Sequence, residues 1–382
     1  MYKKFITFVR ELYGSNDYIP LHSPQFYGNE KKYLLETLDS TFVSSIGEFV
    51  DRFEDDVVRY TGAKYAIATV NGTAALHIAL KLVGVENNTE VITQSLTFVA
   101  TCNAIYYCGA TPIFVDVNKS TLGLSAISLE EFLHQHAEVR DDGYCWNRTT
   151  NKKIIACLPM HTFGLPVDLD AIKRVCDKFQ IAMVEDASES LGSHYKQKHT
   201  GIIGKTAAIS FNGNKIITTG AGGMIITNDS ELAIHAKHIT TTAKIPDQWS
   251  FAHDEIGFNY RLPNLNAALG VAQMEMLPEY LKNKRDIAFA YQEWGNKHGV
   301  KIVKEPDNTR SNYWLNAILT ENRVQRDQFL QKTNAMKVVT RPVWKPLHML
   351  KFNNHCQTSK LDNTAFLYDR LVNVPSSNVR VL

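Results

Sequence analysis

The 382-residue chain lacks the features that mark several large classes of protein. It has no apolar run long enough to cross a bilayer, and Met1-Tyr2-Lys3-Lys4-Phe5 is not followed by the apolar core of a secretory signal. An excess of one charge is also missing, because 41 Lys and Arg nearly balance 39 Asp and Glu and leave a net charge of +2. We therefore expect a cytoplasmic protein with no membrane or nucleic-acid partner.

Cysteine pairs and two nucleotide-binding motifs are absent as well. The six cysteines form no CxxC pair and no metal-ligand spacing, which predicts a reduced chain without a metal site. Neither the full phosphate-loop motif GxxxxGK[ST] nor a GxGxxG fingerprint occurs; Gly204-Lys205-Thr206 lacks the glycine five residues earlier, where His199 stands. These absences argue against a nucleotide-driven kinase and a Rossmann dehydrogenase.

Apolar periodicity predicts alternating strands and helices through most of the chain. Strands are expected at 64–70, 90–93, 112–116, 153–158, 181–185, 205–211, 223–227, 312–319 and 336–341. Helices are expected at 29–42, 51–60, 75–82, 98–107, 128–135, 168–179, 263–277 and 324–332, with Pro278 ending or kinking the seventh. This order predicts a mostly parallel sheet with helices on both faces.

The length and the last strands predict more than one domain. We expect an N-terminal arm at 1–20, a large domain at 21–250 and a small α/β domain at 251–382. The polar stretch 141–153 contains Asp142-Gly143 and predicts a loop or hairpin inserted in the α/β pattern. Residues 240–260 are poorly patterned and predict a loop or crossover.

Lys215 and Asp186 are the most informative pair. Lys215 follows a strand and precedes the glycine-rich Thr219–Gly223 segment, and Asp186 ends the apolar run Met183–Asp186. A lysine amine can form a Schiff base with pyridoxal phosphate (PLP), and a carboxylate can keep the pyridine nitrogen of that cofactor protonated. Taken alone, Lys215 is better explained as a solvated surface lysine and Asp186 as a helix cap, and only the surrounding motifs reverse this preference.

Three further segments fit a phosphate and a flat ring. Asn71-Gly72-Thr73-Ala74 lies at a predicted strand-to-helix turn, where unpaired N–H groups favour an anion, although a simple N-cap explains it too. Phe98 follows another strand and can stack on a heterocycle or belong to the core. Ser210 lies five residues before Lys215 and can donate its hydroxyl to the same phosphate.

Other polar residues follow predicted strands or precede predicted helices. Asn259 and Arg261 lie in Gly257-Phe258-Asn259-Tyr260-Arg261, where an amide and a planar guanidinium suit carboxylate or phosphate, or simply form a turn. His161 follows strand 153–158 and is a candidate for proton transfer or substrate contact. Lone histidines usually have neither role.

Together these motifs resemble the PLP-dependent sugar aminotransferases of the DegT/DnrJ/EryC1/StrS family. The resemblance extends from Ile19 to Ser377. Within the family it is greatest to the LegC-type branch, because of Phe42-Val43-Ser44-Ser45, the 141–153 insertion, and Glu189 and Asn212, where many relatives carry Gln or His. The fold implied is of the aspartate-aminotransferase type (PLP fold type I), α/β, with a mostly parallel seven-stranded sheet and a small C-terminal α/β domain.

The resemblance also implies roles for individual residues. Lys215 and Asp186 would be catalytic, with Lys215 forming the Schiff base and Asp186 holding the pyridinium nitrogen. The other cofactor-binding residues implied are Gly72, Thr73, Ala74, Phe98, Glu189, Ser210 and Asn259, the last from a partner subunit. The candidate substrate contacts are His161, Arg261, Arg341 and His348.

The activity implied is amine transfer from L-glutamate to C4 of a nucleotide-linked sugar. The sugar would be a UDP- or GDP-linked 2-acetamido-4-keto-2,4,6-trideoxy type used for bacillosamine- or legionaminic-acid-like glycans, and the enzyme a homodimer with a shared active site. Two alternatives remain. One is another sugar-nucleotide PLP enzyme, a C3 aminotransferase or a dehydratase, although dehydratase relatives carry histidine where Lys215 stands. The other is a sensor that binds PLP or a nucleotide sugar without turnover.

Overall fold

A computed structural model describes residues 2–379 and contains two main sheets with helices around them. The helices are α1 (Tyr2–Tyr13), α2 (Glu30–Asp39), α3 (Glu48–Thr61), α4 (Gly72–Leu82), α5 (Val99–Tyr107), α6 (Ala126–His136), α7 (Leu169–Lys178), α8 (Ser230–Thr240), α9 (Asn264–His298), α10 (Arg323–Ala335) and α11 (Asp362–Tyr368). Short 3₁₀ turns lie at Thr162–Gly164, Leu347–Met349 and Lys351–Asn353.

The strands follow the predicted alternation with the helices through the first two thirds of the chain. They are β1 (Tyr65–Thr69), β2 (Glu90–Gln94), β3 (Thr111–Val115), β4 (Ala137–Val139), β5 (Cys145–Asn147), β6 (Lys153–Leu158), β7 (Ala182–Asp186), β8 (His194–Tyr195), β9 (Lys198–His199), β10 (Thr206–Ser210), β11 (Gly223–Thr227), β12 (Lys301–Ile302), β13 (Thr309–Arg310), β14 (Asn316–Leu319), β15 (Arg341–Pro342) and β16 (Leu371–Val374).

The large sheet has the strand order β1-β11-β10-β7-β6-β2-β3. Only β11 in this row runs antiparallel to its neighbours, so the carboxyl ends of the other six strands meet at one edge. These strands are buried on both faces by helices, as their apolar sequences require. The prediction of a mostly parallel seven-stranded sheet is confirmed for this row.

The polar insertion forms a hairpin at the side of this sheet. Strands β4 and β5 pair antiparallel, and β5 continues onto β6, which extends the sheet to nine strands. The turn between them contains Gly143, whose φ of +76° lies in the left-handed region that glycine adopts without strain. Of the two predicted forms, loop or hairpin, the structure has the hairpin.

The second sheet is small and antiparallel, with the order β12-β14-β16-β15. Helix α1 packs against it, and a shared core joins the helix to α9 and α10 through Phe5, Tyr291, Phe329 and Val372. The N-terminal segment is thus fixed by apolar contacts with the C-terminal part of the chain.

Pro278 was predicted to end or kink a helix near Leu277, and the prediction that the helix ends there is wrong. Helix α9 continues through Pro278 for 35 residues in total. An internal proline costs about 3 kcal/mol because it removes a hydrogen bond and crowds the preceding turn. Burial of Leu277, Tyr280 and Leu281 on either side offsets this cost, since each large apolar side chain contributes about 1.5–3 kcal/mol.

Two other local features differ from, or add to, the predictions. Helix α8 was not predicted; its first turn is capped by Asp229, whose carboxylate accepts from the N–H groups of Glu231 and Leu232. The strand expected at 336–341 is reduced to the two residues of β15. The six cysteines are free thiols, and no helix within residues 2–379 is long and apolar enough to span a membrane.

Candidate active site

A cavity of about 310 Å³ lies at the edge where the parallel strands end. Seven of the predicted site residues line it: Gly72, Thr73, Phe98, Asp186, Glu189, Ser210 and Lys215. They come from the segments that follow β1, β2, β7 and β10. Sheet topology therefore gathers residues that are up to 143 positions apart in the sequence.

Lys215 projects into this cavity from the loop after β10. Its Nζ lies 3.3 Å from Oε1 of Glu189 and 4.2 Å from the centre of the Trp314 ring. The loop is held by the Trp314 indole, whose Nε1 donates to the carbonyl of Asn214 at 2.5 Å. Lys215 is thus an amine held between a carboxylate and an aromatic face, with 12% of its side chain exposed.

Asp186 is a buried carboxylate at the end of β7. Its Oδ2 accepts from the hydroxyl of Thr101 at 2.7 Å, and its Oδ1 accepts from the N–H of Ser188 at 3.2 Å. No Lys, Arg or His between residues 2 and 379 forms an ion pair with it within 4 Å, although it is only 1% exposed. A buried carboxylate is stabilised by a cation, so this position suits the protonated nitrogen of a bound ring.

The start of α4 forms a place for an anion. Asn71 caps the helix by accepting from the N–H of Ala74 at 2.8 Å, so that N–H already has a partner, and Ala74, a predicted phosphate contact, lies outside the cavity lining. Gly72 and Thr73 line the cavity at the first turn, where N–H groups have no partner within the helix. A Cβ on Gly72 would lie 2.7 Å from Cβ of Ser210, so glycine is required for this close approach.

Glu189 is buried beside Lys215 and has a perturbed acidity. Burial raises the pKa of its carboxyl to about 7, against the opposing effect of the Lys215 charge and of the Phe163 N–H, which donates to Oε2 at 2.9 Å. The carboxyl is therefore partly protonated near neutral pH. A protonated Glu189 can donate a hydrogen bond to a neighbouring oxygen, as the amide of the commoner glutamine would.

Aromatic side chains form the walls of the cavity. Phe98 is 48% exposed, and its ring centre lies 6.3 Å from that of Trp344. Trp344 and Trp314 both line the cavity, yet neither was predicted. Each lies about 100 residues or more beyond Lys215 in a segment without a recognisable motif, so only the packing of the chain brings them to the site.

His22, which packs beside Trp314, was not predicted either. Both of its ring nitrogens are buried without a hydrogen-bond partner, and its ring centre lies 6.4 Å from that of Trp314. Burial lowers the pKa of His22 well below its usual value, and the charges of Lys284 and Lys215 lower it further. Its position after Pro20 gives no signal in the sequence.

None of the four predicted substrate contacts lines the cavity. His161 is fully buried, with Nε2 3.0 Å from Oε2 of Glu185 and Nδ1 accepting from the N–H of Val167. This pairing fixes the end of β6 and leaves His161 no face for a substrate, which corrects the expectation for this residue. Arg341 donates instead to Asn334 and to a backbone carbonyl at the small sheet.

The remaining predicted residues lie outside the cavity lining as well. Nδ1 of His348 lies 2.7 Å from the hydroxyl of Ser95, and burial lowers the pKa of this histidine. Asn259 is exposed, and its Oδ1 accepts from the guanidinium of Arg261 at 3.2 and 3.3 Å. Within a single chain, therefore, none of these three side chains completes the site.

The residues of the cavity fit PLP. An amine, a buried carboxylate without a cation, and the helix start beside Gly72 correspond in chemistry to its aldehyde, its ring nitrogen and its phosphate.

Comparison with known proteins agrees with this assignment. A model of the DegT/DnrJ/EryC1/StrS aminotransferase family matches residues 24–379. GDP-perosamine synthase of Escherichia coli O157:H7 is 37% identical over 87% of this chain and 86% of its own length. The putative pyridoxal phosphate-dependent aminotransferase EpsN of Bacillus subtilis is 37% identical over 86% of this chain and 82% of its own. A Brucella abortus aminotransferase of the family superimposes with a TM-score of 0.82 at 26% identity, over 91% of this chain and 90% of that one.

Proposed function

Because this chain belongs to the DegT/DnrJ/EryC1/StrS aminotransferase family, a group of PLP-dependent enzymes of fold type I, we propose that it aminates C4 of a nucleotide-linked keto sugar, with L-glutamate as the amino donor. The observation that carries this proposal is the position of Lys215 Nζ, 3.3 Å from Glu189 in the cavity that also contains Asp186. An amine that shares a cavity with these two carboxyl groups is placed for proton transfer at a cofactor.

PLP, when bound, supplies an electron sink for the amino-acid carbon. Asp186 would hold the ring nitrogen in its protonated form, and the ring would contact Phe98. The N–H groups of Gly72 and Thr73 and the hydroxyl of Ser210 would bind the phosphate. Lys215 would hold the aldehyde carbon until the donor arrives, and its freed Nζ would then move the proton between the donor Cα and C4′ of the cofactor.

Glu189 would keep a proton near the phenolic oxygen of the cofactor. Two ionised oxygens at that place would repel each other, and the raised pKa of Glu189 favours the protonated carboxyl. We expect this residue to control how activity depends on pH near neutrality.

The proposed acceptor is a UDP- or GDP-linked 2-acetamido-4-keto-2,4,6-trideoxy-type sugar for surface glycans, as in the LegC-type branch. The 141–153 hairpin and the residues Glu189 and Asn212 support this branch. The similarity to GDP-perosamine synthase of Escherichia coli favours a GDP carrier over UDP.

We also propose a homodimer in which Asn259 reaches the phosphate of the partner's cofactor. Large apolar side chains are exposed on two segments of a single chain, with Ile46 72%, Trp249 83%, Phe251 83% and Ile256 84% exposed. Such exposure is typical of surfaces that are covered by another subunit, and an obligate interface buries more than about 2,000 Å².

The test is transfer of label from nitrogen-labelled L-glutamate to a panel of four acceptors: GDP- and UDP-linked 4-keto sugars, each with and without a 2-acetamido group. Mass spectrometry should find label in one product of the wild-type enzyme and of Lys205→Ala, an exposed lysine, but none with Lys215→Ala. Label in no sugar, with PLP bound, would favour the sensor, and loss of a sugar hydroxyl without label would favour a dehydratase.

A further inference from the structure

A cluster of two histidines and two carboxylates lies between α8 and the loop that follows it. His235 and His238 lie one turn apart on α8, and Asp254 and Glu255 lie on the returning side of the loop. We propose that His238, Asp254 and Glu255 bind a divalent transition-metal ion such as Zn²⁺, and that His235 orients Glu255.

The distances suit a tetrahedral ion. Nε2 of His238 lies 2.6 Å from Oδ1 of Asp254 and 3.9 Å from Oε1 of Glu255, and the three ligand atoms all lie within 4.8 Å of one another. Ligand atoms around a tetrahedral ion with bonds of about 2.1 Å are about 3.4 Å apart. Only small side-chain movements would therefore bring the three atoms into coordination and leave a fourth position for water.

The position of His235 adds an outer partner to this set. Its Nε2 lies 3.0 and 3.1 Å from the two oxygens of Glu255. Ligands of protein-bound metals are commonly held by such hydrogen bonds, which fix the orientation of the coordinating group. An imidazole nitrogen with two carboxylates favours Zn²⁺ or Co²⁺ over Mg²⁺ and Ca²⁺, which prefer oxygen ligands alone.

The backbone holds the two ligand-bearing segments together before any ion binds. The N–H of Phe258 donates to the carbonyl of Ile239, and the N–H of Thr242 donates to the carbonyl of Phe258. Farther along the loop, the N–H of Ile245 donates to the carbonyl of Ala252. The ligands are thus partly preorganised.

A bound ion would join α8 to the loop that leads to Asn259. The loop otherwise exposes Trp249 and Phe251 and is held mainly by hydrogen bonds. The ion would therefore stabilise the folded protein by mass action, because the unfolded chain does not present the three ligands together.

Calorimetric titration of the tag-free, PLP-loaded, full-length protein with ZnCl₂ tests the proposal. We expect one ion per chain. His238→Gln should weaken binding by more than the roughly 10–100-fold expected for His235→Gln, because loss of a ligand costs more than loss of an outer partner. The matched control is His253→Gln, a histidine of the same loop whose Nδ1 lies 2.8 Å from the carbonyl of Thr242, and it should bind Zn²⁺ as the wild type does.

Further measurements distinguish loss of metal binding from a folding defect. Circular dichroism should show that His238→Gln is folded, and Zn²⁺ should raise the Tm of the wild type and of His253→Gln but not that of His238→Gln. CoCl₂ should give the visible absorption of a tetrahedral ion with the wild type and with His253→Gln, but not with His238→Gln. Absence of saturable binding, or equal binding by folded His238→Gln, would show that the cluster consists of ion pairs alone.

Discussion

Replacement of Glu189 by glutamine gives a direct test of the electrostatics of the cavity. The side chain is 3% exposed, and burial raises the pKa of its carboxyl from 4.5 to about 7 in the folded protein without cofactor. The folded protein therefore binds this proton more tightly than the unfolded chain does. Since the folded-state pKa is the higher one, stability falls as the pH rises from 4.5 through 7 and levels off above that range.

The magnitude follows from the size of the shift. A shift from 4.5 to about 7 corresponds to about 3 kcal/mol of stability that is lost as the pH rises through 7, and most of this loss falls between pH 5 and 8. Glu189→Gln cannot ionise, so the free energy of unfolding of this variant should lack that decrease. The difference between the free energies of unfolding of the two proteins at each pH cancels the contributions of other titrating groups that do not interact with residue 189.

The assay is urea unfolding of both proteins without PLP at pH 5, 6, 7 and 8, followed by circular dichroism. Between pH 5 and 8, the free energy of unfolding of the variant should rise relative to that of the wild type by about 2–3 kcal/mol. Parallel dependence of the two proteins on pH would refute the account, because it would mean that Glu189 is ionised in the folded state as readily as in the unfolded chain.

Three further changes test other parts of the site. Gly72→Ala should weaken PLP binding at least about tenfold in an equilibrium titration, because its Cβ would lie 2.7 Å from Ser210, whereas Gly213→Ala, whose Cβ meets nothing nearer than 4.0 Å, should bind normally. Burial lowers the pKa of Lys284 in the folded protein, so the free energy of unfolding of the wild type is reduced below the unfolded-state pKa of this lysine and rises again with pH. Lys284→Met should remove this rise when the free energy of unfolding is measured against pH. Asp186→Asn keeps the shape but removes the charge, and kcat/KM should fall at least about 100-fold while PLP remains bound.

The part of the site that could be predicted depends on strand ends. Asp186, Ser210 and Gly72 end or follow strands that the apolar pattern predicts, and the carboxyl ends of parallel strands share one edge. Lys215 follows the same rule because it lies in the loop five residues after the end of β10. For these residues local sequence was enough, since the sheet determines their distances.

The rest of the site depends on contacts that no local pattern encodes. Trp314 lines the cavity and packs against His22, a residue 292 positions away in the chain. His161 also follows a predicted strand, but its buried hydrogen-bond partner Glu185 could not be identified from spacing, so a functional role was expected for His161. Pro278 shows the same limit, because the helix around it is set by burial and not by local propensity.

The visible absorption of PLP bound to the purified enzyme tests the central claim most directly. The account predicts a visible band in the wild type that is lost when L-glutamate is added and returns with a 4-keto GDP- or UDP-sugar, while Lys215→Ala shows no such cycle. A wild-type band that L-glutamate leaves unchanged would contradict the assignment of this chain as a glutamate-dependent aminotransferase.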